Sequence, residues 1–348
     1  MATVPLDTVR ALLAADVPVL VWGPPGTAKT ASFLALAEAE GAYAETLIGS
    51  TLDPSDVGGT PVPFQGNVVL APPGWVVRLR AALDRGQPAW LFLDELSCAP
   101  PAVQAALLRV VQEREVAGVA LRGVRVVAAA NPADSAADGG WLSPAMSNRF
   151  AHVKWETPAS WGTGLLTQWG KGWPDAGRTA ANLAAYLQAN PKEREGAASA
   201  DGSGGYPTPR SWTAAVRTLA ASGGVQGAHA RAIVGACVGS AAADEWLTWV
   251  AAQDLPDPED MLAQRVPLPK RPDQVRASLL AVAAAALAPH AEQSVRMGQA
   301  WALIGTVRPD LAVAAATALL DGAPDAPLPA FVGQLAQTIQ SARARAGL

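Results

Sequence analysis

The rhythm of apolar and polar positions changes near residue 157. Before it, short apolar runs alternate with stretches of helical period. The pattern predicts helices over residues 6–15, 28–40, 75–84 and 101–113. It predicts strands over 17–22, 43–48, 89–94, 124–130 and 151–155. Residues 61–72 read as a hairpin with Gln65-Gly66-Asn67 at its turn, and 115–121 as an arm of a second one. Pro101 sits in the first turn of its helix, where a missing N–H costs little. Strands alternating with helices call for a parallel sheet covered on both faces.

After residue 157 the strand signals stop. The chain turns Ala/Leu-rich and helical, with breaks at 190–191, 201–209, 254–258, 308–309 and 323–329. The Gly/Ser/Ala-rich stretch 195–206 reads as a mobile loop. No internal repeat is visible. The expected organisation is an α/β domain over 1–156, a helical domain over 157–255 and a further helical region over 256–348.

Half of the 348 residues are hydrophobic, ample for a large core. A net charge of −4 argues against nucleic-acid binding through a broad basic surface, although a local basic groove stays open. Cys98 and Cys237 lack metal-ligand spacing and fit buried apolar residues in a reducing cytoplasm. The first ten residues do not read as a secretory signal, and the apolar run 277–289 is too short for a membrane span and reads as a buried helix. The expected setting is therefore the cytoplasm. Trp155, Trp161, Trp169 and Trp173 cluster where the two regions join and read as core or interface. His152, His229 and His290 form no catalytic or metal pattern.

Against this background Gly23-Pro24-Pro25-Gly26-Thr27-Ala28-Lys29-Thr30 stands out. An apolar strand precedes it and a helix follows, the setting of a phosphate-binding loop. Small residues let backbone N–H groups turn inward around phosphate oxygens, and the helix start adds free N–H groups and a positive dipole end. Lys29 would reach the β- and γ-phosphates and the Thr30 hydroxyl would hold Mg²⁺. Lysine is scarce in this chain, which makes Lys29 less incidental. The motif's usual glycine before the lysine is replaced by Ala28. Since Ala28 opens the helix, a helical φ is expected there and its methyl group should fit. A plain Gly/Pro turn is the alternative.

Two further strands end in polar residues. Leu91-Phe92-Leu93-Asp94-Glu95 places carboxylates at the sheet edge: Asp94 for the Mg²⁺ shell, Glu95 as general base for the attacking water. Solvated acids at a strand end are the alternative. The strand 124–130 runs into Asn131-Pro132, where Asn131 either contacts the lytic water or a γ-phosphate oxygen, or merely opens a turn.

GPPGTAKT, LFLDEL, QAALLRVVQEREV, VVAAANP and LSPAMSNRF occur in this order. Together they resemble the AAA+ ATPases, and within them the MoxR group, closely over about residues 1–156 and loosely beyond. The resemblance implies a P-loop parallel sheet sandwiched by helices, then an all-helical lid and a C-terminal helical region. It implies ATP and Mg²⁺ as ligands. It makes Asn131 the first sensor and Arg149 the arginine finger that acts on the neighbouring subunit's nucleotide. Many relatives carry Asp where this chain has Asn148, which bears on local ion pairing and not on the arginine. Arg210, in Pro207-Thr208-Pro209-Arg210-Ser211-Trp212, matches the second sensor, reaching the γ-phosphate of its own subunit; an ordinary surface arginine is the alternative at both positions. Residues 52–59 match a loop after the second strand. The hairpin around 64–69 matches an insert facing a pore or partner, or simply packs on the domain, and the hairpin at 115–122 is equally open.

The resemblance also implies a homo-oligomeric ring, expected to be a hexamer, that remodels a client protein with a separate von Willebrand factor A-type partner. An ATP-dependent scaffold with little turnover is the alternative. Neither a nucleic-acid substrate nor a membrane span is expected.

Overall fold

The computed structural model describes residues 6–132, 141–157, 176–196, 198, 204–253, 255–288 and 290–333. The chain folds into two compact units, Met1–Thr157 and Pro158–Leu348.

The first unit carries α1 (Leu6–Ala14), β1 (Val19–Trp22), α2 (Lys29–Ala39), β2 (Tyr43–Ile48), α3 (Pro54–Gly58), β3 (Thr60–Phe64), β4 (Asn67–Ala71) and α4 (Gly74–Asp84). It continues through β5 (Ala89–Asp94), α5 (Pro101–Glu113), β6 (Glu115–Val116), β7 (Val119–Ala120), β8 (Val124–Ala130), α6 (Pro144–Ser147) and β9 (Ala151–Lys154). Five strands form one sheet in the order β2-β5-β8-β1-β9, every pair parallel. Period-2 alternation splits its side chains between two cores. Leu91 and Leu93 face α4 and α5, packing with Val76, Leu79, Val103 and Leu107. Trp90 and Phe92 face α1 and α2, packing with Val9, Leu13, Phe33 and Leu36. Burial on both faces explains the apolar runs of the inner strands β1, β5 and β8. This is the α/β parallel sheet sandwiched by helices that the pattern predicts.

β3 and β4 pair in antiparallel fashion through Gln65 and Gly66, with φ 50° and 79°, the left-handed pair a two-residue hairpin turn requires. Phe64, Val68, Val69 and Leu70 on this hairpin are exposed. β6 and β7 form the second, shorter hairpin. The short helix α3 lies inside the stretch read from sequence as a loop. Asp53 and Asp56 start it, the Asp53 N–H donating to Asp56 Oδ2 at 2.9 Å.

The described part of the second unit is helical: α7 (Ala176–Ala189), α8 (Pro209–Ala221), α9 (Ala230–Val238), α10 (Ser240–Gln253), α11 (Pro258–Leu262), α12 (Pro272–Leu287), α13 (Gln293–Gly305) and α14 (Pro309–Gly322). One apolar cluster runs through these helices from Ala180 to Val332, with Trp212 set edge-on to Trp246 at 5.6 Å. The apolar run beginning at Ala277 is the buried body of α12. Among the described residues no helix is long and apolar enough to cross a membrane. Cys98 and Cys237 are half-buried rather than buried. Trp161, Trp169, Trp173 and residues 199–203 of the Gly/Ser-rich stretch lie outside the described residues.

Candidate functional site

Strand register brings the polar strand ends to one edge. Trp22 lies opposite Ala130 and Lys154, and Leu93 opposite Ala128. The residues that follow, Gly23, Asp94, Asn131 and Trp155, therefore gather at the carboxyl end of the sheet. β1 lies between β8 and the edge strand β9, and ligand crevices in open α/β sheets lie at this carboxyl end.

Lys29 folds back into its own loop. It is 7% exposed, and its Nζ donates to Gly23 O and Pro24 O at 2.7 Å each and to Asn131 Oδ1 at 3.1 Å. Thr30 Oγ1 donates to Asp94 Oδ2 at 2.6 Å. Thr27 Oγ1 donates to Pro24 O at 2.8 Å, closing the loop on itself. Gly26 and Ala28 are both left-handed, at φ 78° and 62°, on either side of Thr27, and alternation of this kind turns successive N–H groups into one concavity. Helix α2 begins at Lys29, so its first-turn N–H groups have no partner within the helix.

Ala28 departs from the expected helical φ. At φ 62° and ψ 23° it caps α2 in the left-handed region, where its methyl group is strained and the motif's glycine would not be. The helix starts one residue later than its apolar pattern suggests.

Glu95 is exposed and also left-handed, at φ 53°. Its backbone N–H donates to Asp94 Oδ1 at 2.9 Å, and its Oε2 accepts from Ser50 Oγ at 2.6 Å. Arg149 stands elsewhere. Its guanidinium donates to Gln112 Oε1 from Nε at 3.1 Å and from Nη2 at 3.0 Å, and to Ala145 O from Nη1 at 2.9 Å, so it is held by α5 and α6. Asn148 is the C-cap of α6. Arg210 is exposed in the first turn of α8, whose N-cap Thr208 accepts from the Ser211 N–H at 3.1 Å. The fold thus brings together Lys29, Thr30, Asp94 and Asn131, with Glu95 next in sequence to Asp94. It keeps Arg149 on a different support.

Three residues at this edge carry contacts that the sequence reading did not assign. Ser50 holds Glu95; its signal was its place just beyond β2, the neighbour of β5. Trp155 donates from Nε1 to Thr27 O at 2.9 Å. His152 accepts from Trp22 Nε1 at 2.8 Å through Nδ1, and its Nε2 lies 2.8 Å from Ser147 O, so β9 ties the end of β1 to α6.

The set suits a phosphate chain with a divalent cation. A left-handed Gly26–Ala28 concavity, a helix start and one buried ammonium converge on the loop. A hydroxyl and a carboxylate oxygen 2.6 Å apart supply the hard oxygen donors that Mg²⁺ takes. Residues 18–150 match the family model of the AAA domain, dynein-related subfamily. The match is confined to this segment. It contains the whole sheet but for the last strand, and it ends at Phe150, directly after Arg149. No curated protein matches the chain. Among solved structures, two mutant RuvB proteins of Thermotoga maritima are similar. One is 14% identical over 71% of this chain and 68% of that chain, with a TM-score of 0.37. The other is 12% identical over 74% and 72%, with a TM-score of 0.34. Likeness at that level carries no inference about activity.

Proposed function

We propose that the chain is a MoxR-type AAA+ ATPase that hydrolyses ATP at the subunit interfaces of a ring, expected to be hexameric, and uses the turnover to remodel a partner protein. The observation that carries this reading is the convergence of Lys29, Thr30, Asp94 and Asn131 from three separate strand ends in two hydrogen-bonded pairs, Lys29 with Asn131 and Thr30 with Asp94. In this reading Lys29 exchanges its loop carbonyls for β- and γ-phosphate oxygens, and the loop from Gly23 to Ala28 wraps the phosphates, with Gly26, Thr27 and Ala28 offering backbone N–H groups. Thr30 and Asp94 hold Mg²⁺, which would neutralise charge developing on the phosphates. Glu95 takes the proton of the attacking water and Asn131 fixes that water or a γ-oxygen. Arg210 serves the γ-phosphate of its own subunit.

Arg149 completes the neighbour's site. Its hydrogen bonds among the described residues, to Gln112 and Ala145, set it on α5 and α6 rather than on its own phosphate loop, which supports a role in trans. The exposed Phe64 and Val68 on the β3–β4 hairpin favour the partner-facing reading of that insert over simple packing. A von Willebrand factor A-type protein supplied as a separate chain and a cytoplasmic setting belong to the same proposal.

A scaffold with little turnover is the second reading. It draws on the strained Ala28 and on the bond that ties Glu95 to Ser50. ATP hydrolysis per subunit, measured across protein concentration, separates the two. A specific rate that climbs and saturates fits a site completed by a neighbour. No hydrolysis at any concentration, with ATP still bound, would overturn the ATPase reading in favour of the scaffold.

A further inference from the structure

Just beyond β9, the side chain of Trp155 sits behind the phosphate loop. It is 9% exposed, and its ring packs against Phe33 of α2 at 5.6 Å. Its backbone N–H donates to Trp22 O at 2.7 Å, and its indole N–H donates to Thr27 O at 2.9 Å. A methyl group at Gly23 would come within 3.0 Å of the Trp155 Cβ, so this residue closes the back of the loop at both ends.

The indole bond has a geometric consequence. A trans peptide aims its C=O and its N–H in opposite directions. Drawing the Thr27 carbonyl toward Trp155, into the apolar layer of α1 and α2, turns the Ala28 N–H away from that layer and toward the open side of the concavity. The same peptide leads into Ala28 at φ 62°, a conformation glycine adopts freely and alanine resists. We propose that Trp155 is a positioning residue that holds the Thr27–Ala28 peptide in its phosphate-binding orientation, and that this hold is what lets the loop work with alanine in place of glycine. The inference rests on the phosphate-loop reading of residues 23–30.

The test is a cycle of four full-length proteins: wild type, Trp155→Phe, Ala28→Gly and the double variant. ADP is titrated calorimetrically into each. In the Ala28 background, Trp155→Phe removes the donor and leaves a buried carbonyl unpaired, so ADP binding weakens about tenfold. In the Ala28→Gly background the left-handed conformation needs no hold, and the same change weakens binding by about threefold or less. Equal losses in both backgrounds would reduce Trp155 to a packing residue and overturn the inference, as would no loss with Ala28 present. If Trp155→Phe does not fold, benzothienylalanine at position 155 keeps the bicyclic ring without the N–H. The same coupling is then expected, and its absence is equally fatal. Wild-type protein that binds no ADP would overturn the phosphate-loop reading and this inference with it, whereas normal wild-type binding without coupling overturns the inference alone.

Discussion

Replacing Glu95 by Gln separates binding from chemistry in this site. The amide has the volume of the carboxylate, and its carbonyl oxygen still accepts the Ser50 hydroxyl now 2.6 Å from Oε2. The backbone bond from the Glu95 N–H to Asp94 Oδ1 is untouched. Lys29 donates to Gly23, Pro24 and Asn131, and Thr30 to Asp94, so these phosphate and cation contacts survive the change. What disappears is the proton acceptor. A positioned general base contributes roughly 10² to 10⁴ in rate, or about 3 to 5 kcal/mol of transition-state stabilisation. Single-turnover hydrolysis of radiolabelled ATP should therefore slow by at least about a hundredfold, while the ATP dissociation constant stays within about twofold, since no binding contact changes. Turnover within about tenfold of wild type would remove Glu95 from the base role. Loss of binding with it would place Glu95 in the phosphate cradle instead.

The other perturbations are simpler. Ser50→Ala frees the Glu95 carboxylate from a ground-state bond worth about 1 kcal/mol at this exposed position, so kcat should rise by up to about fivefold with ATP affinity unchanged; a fall in kcat would mean that Ser50 aims Glu95 rather than restrains it. Ala28→Gly relieves a left-handed alanine at a cost in unfolded-chain entropy, for a net gain of about 0.5–1 kcal/mol in the unfolding of the first unit by urea, and a lower midpoint would refute the strain argument. Leu280→Ala in the fully buried body of α12 should cost about 2–5 kcal/mol by thermal unfolding, and a shift below about 1 kcal/mol would show a core that collapses around the gap. Hydrogen bonds from Arg296 hold the Glu259 carboxyl below its ordinary value of 4.5, so its contribution is full above that pH and fades as pH falls through the lower folded value. Glu259→Gln should flatten the acid-side decline in stability, and an unchanged decline would assign it to other carboxylates.

The inner strands β5 and β8 were legible because they are buried on both faces and end in polar residues: the apolar run of β8 stops at Asn131 and that of β5 at Asp94. Legibility failed where a residue answers to something distant in sequence. The φ of Ala28 follows from a carbonyl held by Trp155, which lies 128 positions from Thr27. The Ser50–Glu95 bond depends on β2 lying beside β5, which chain order alone does not give. The helix α3 was missed for a local reason, since the Asp-Pro-Ser-Asp start resembles a loop unless the reciprocal capping of Asp53 and Asp56 is recognised. His152 was passed over because neither a catalytic partner nor a metal ligand accompanies it in sequence, and its partners, Trp22 and Ser147, are structural.

The central claim is that two subunits build each active site, one giving Glu95 and the other Arg149. Mixing two inactive proteins, Glu95→Gln and Arg149→Ala, tests it most directly. In an equal mixture half the sites keep Glu95 and half of those face an intact Arg149, so roughly a quarter of wild-type hydrolysis should return. A mixture as inactive as its components, under conditions where the two are shown to co-assemble, would contradict the account.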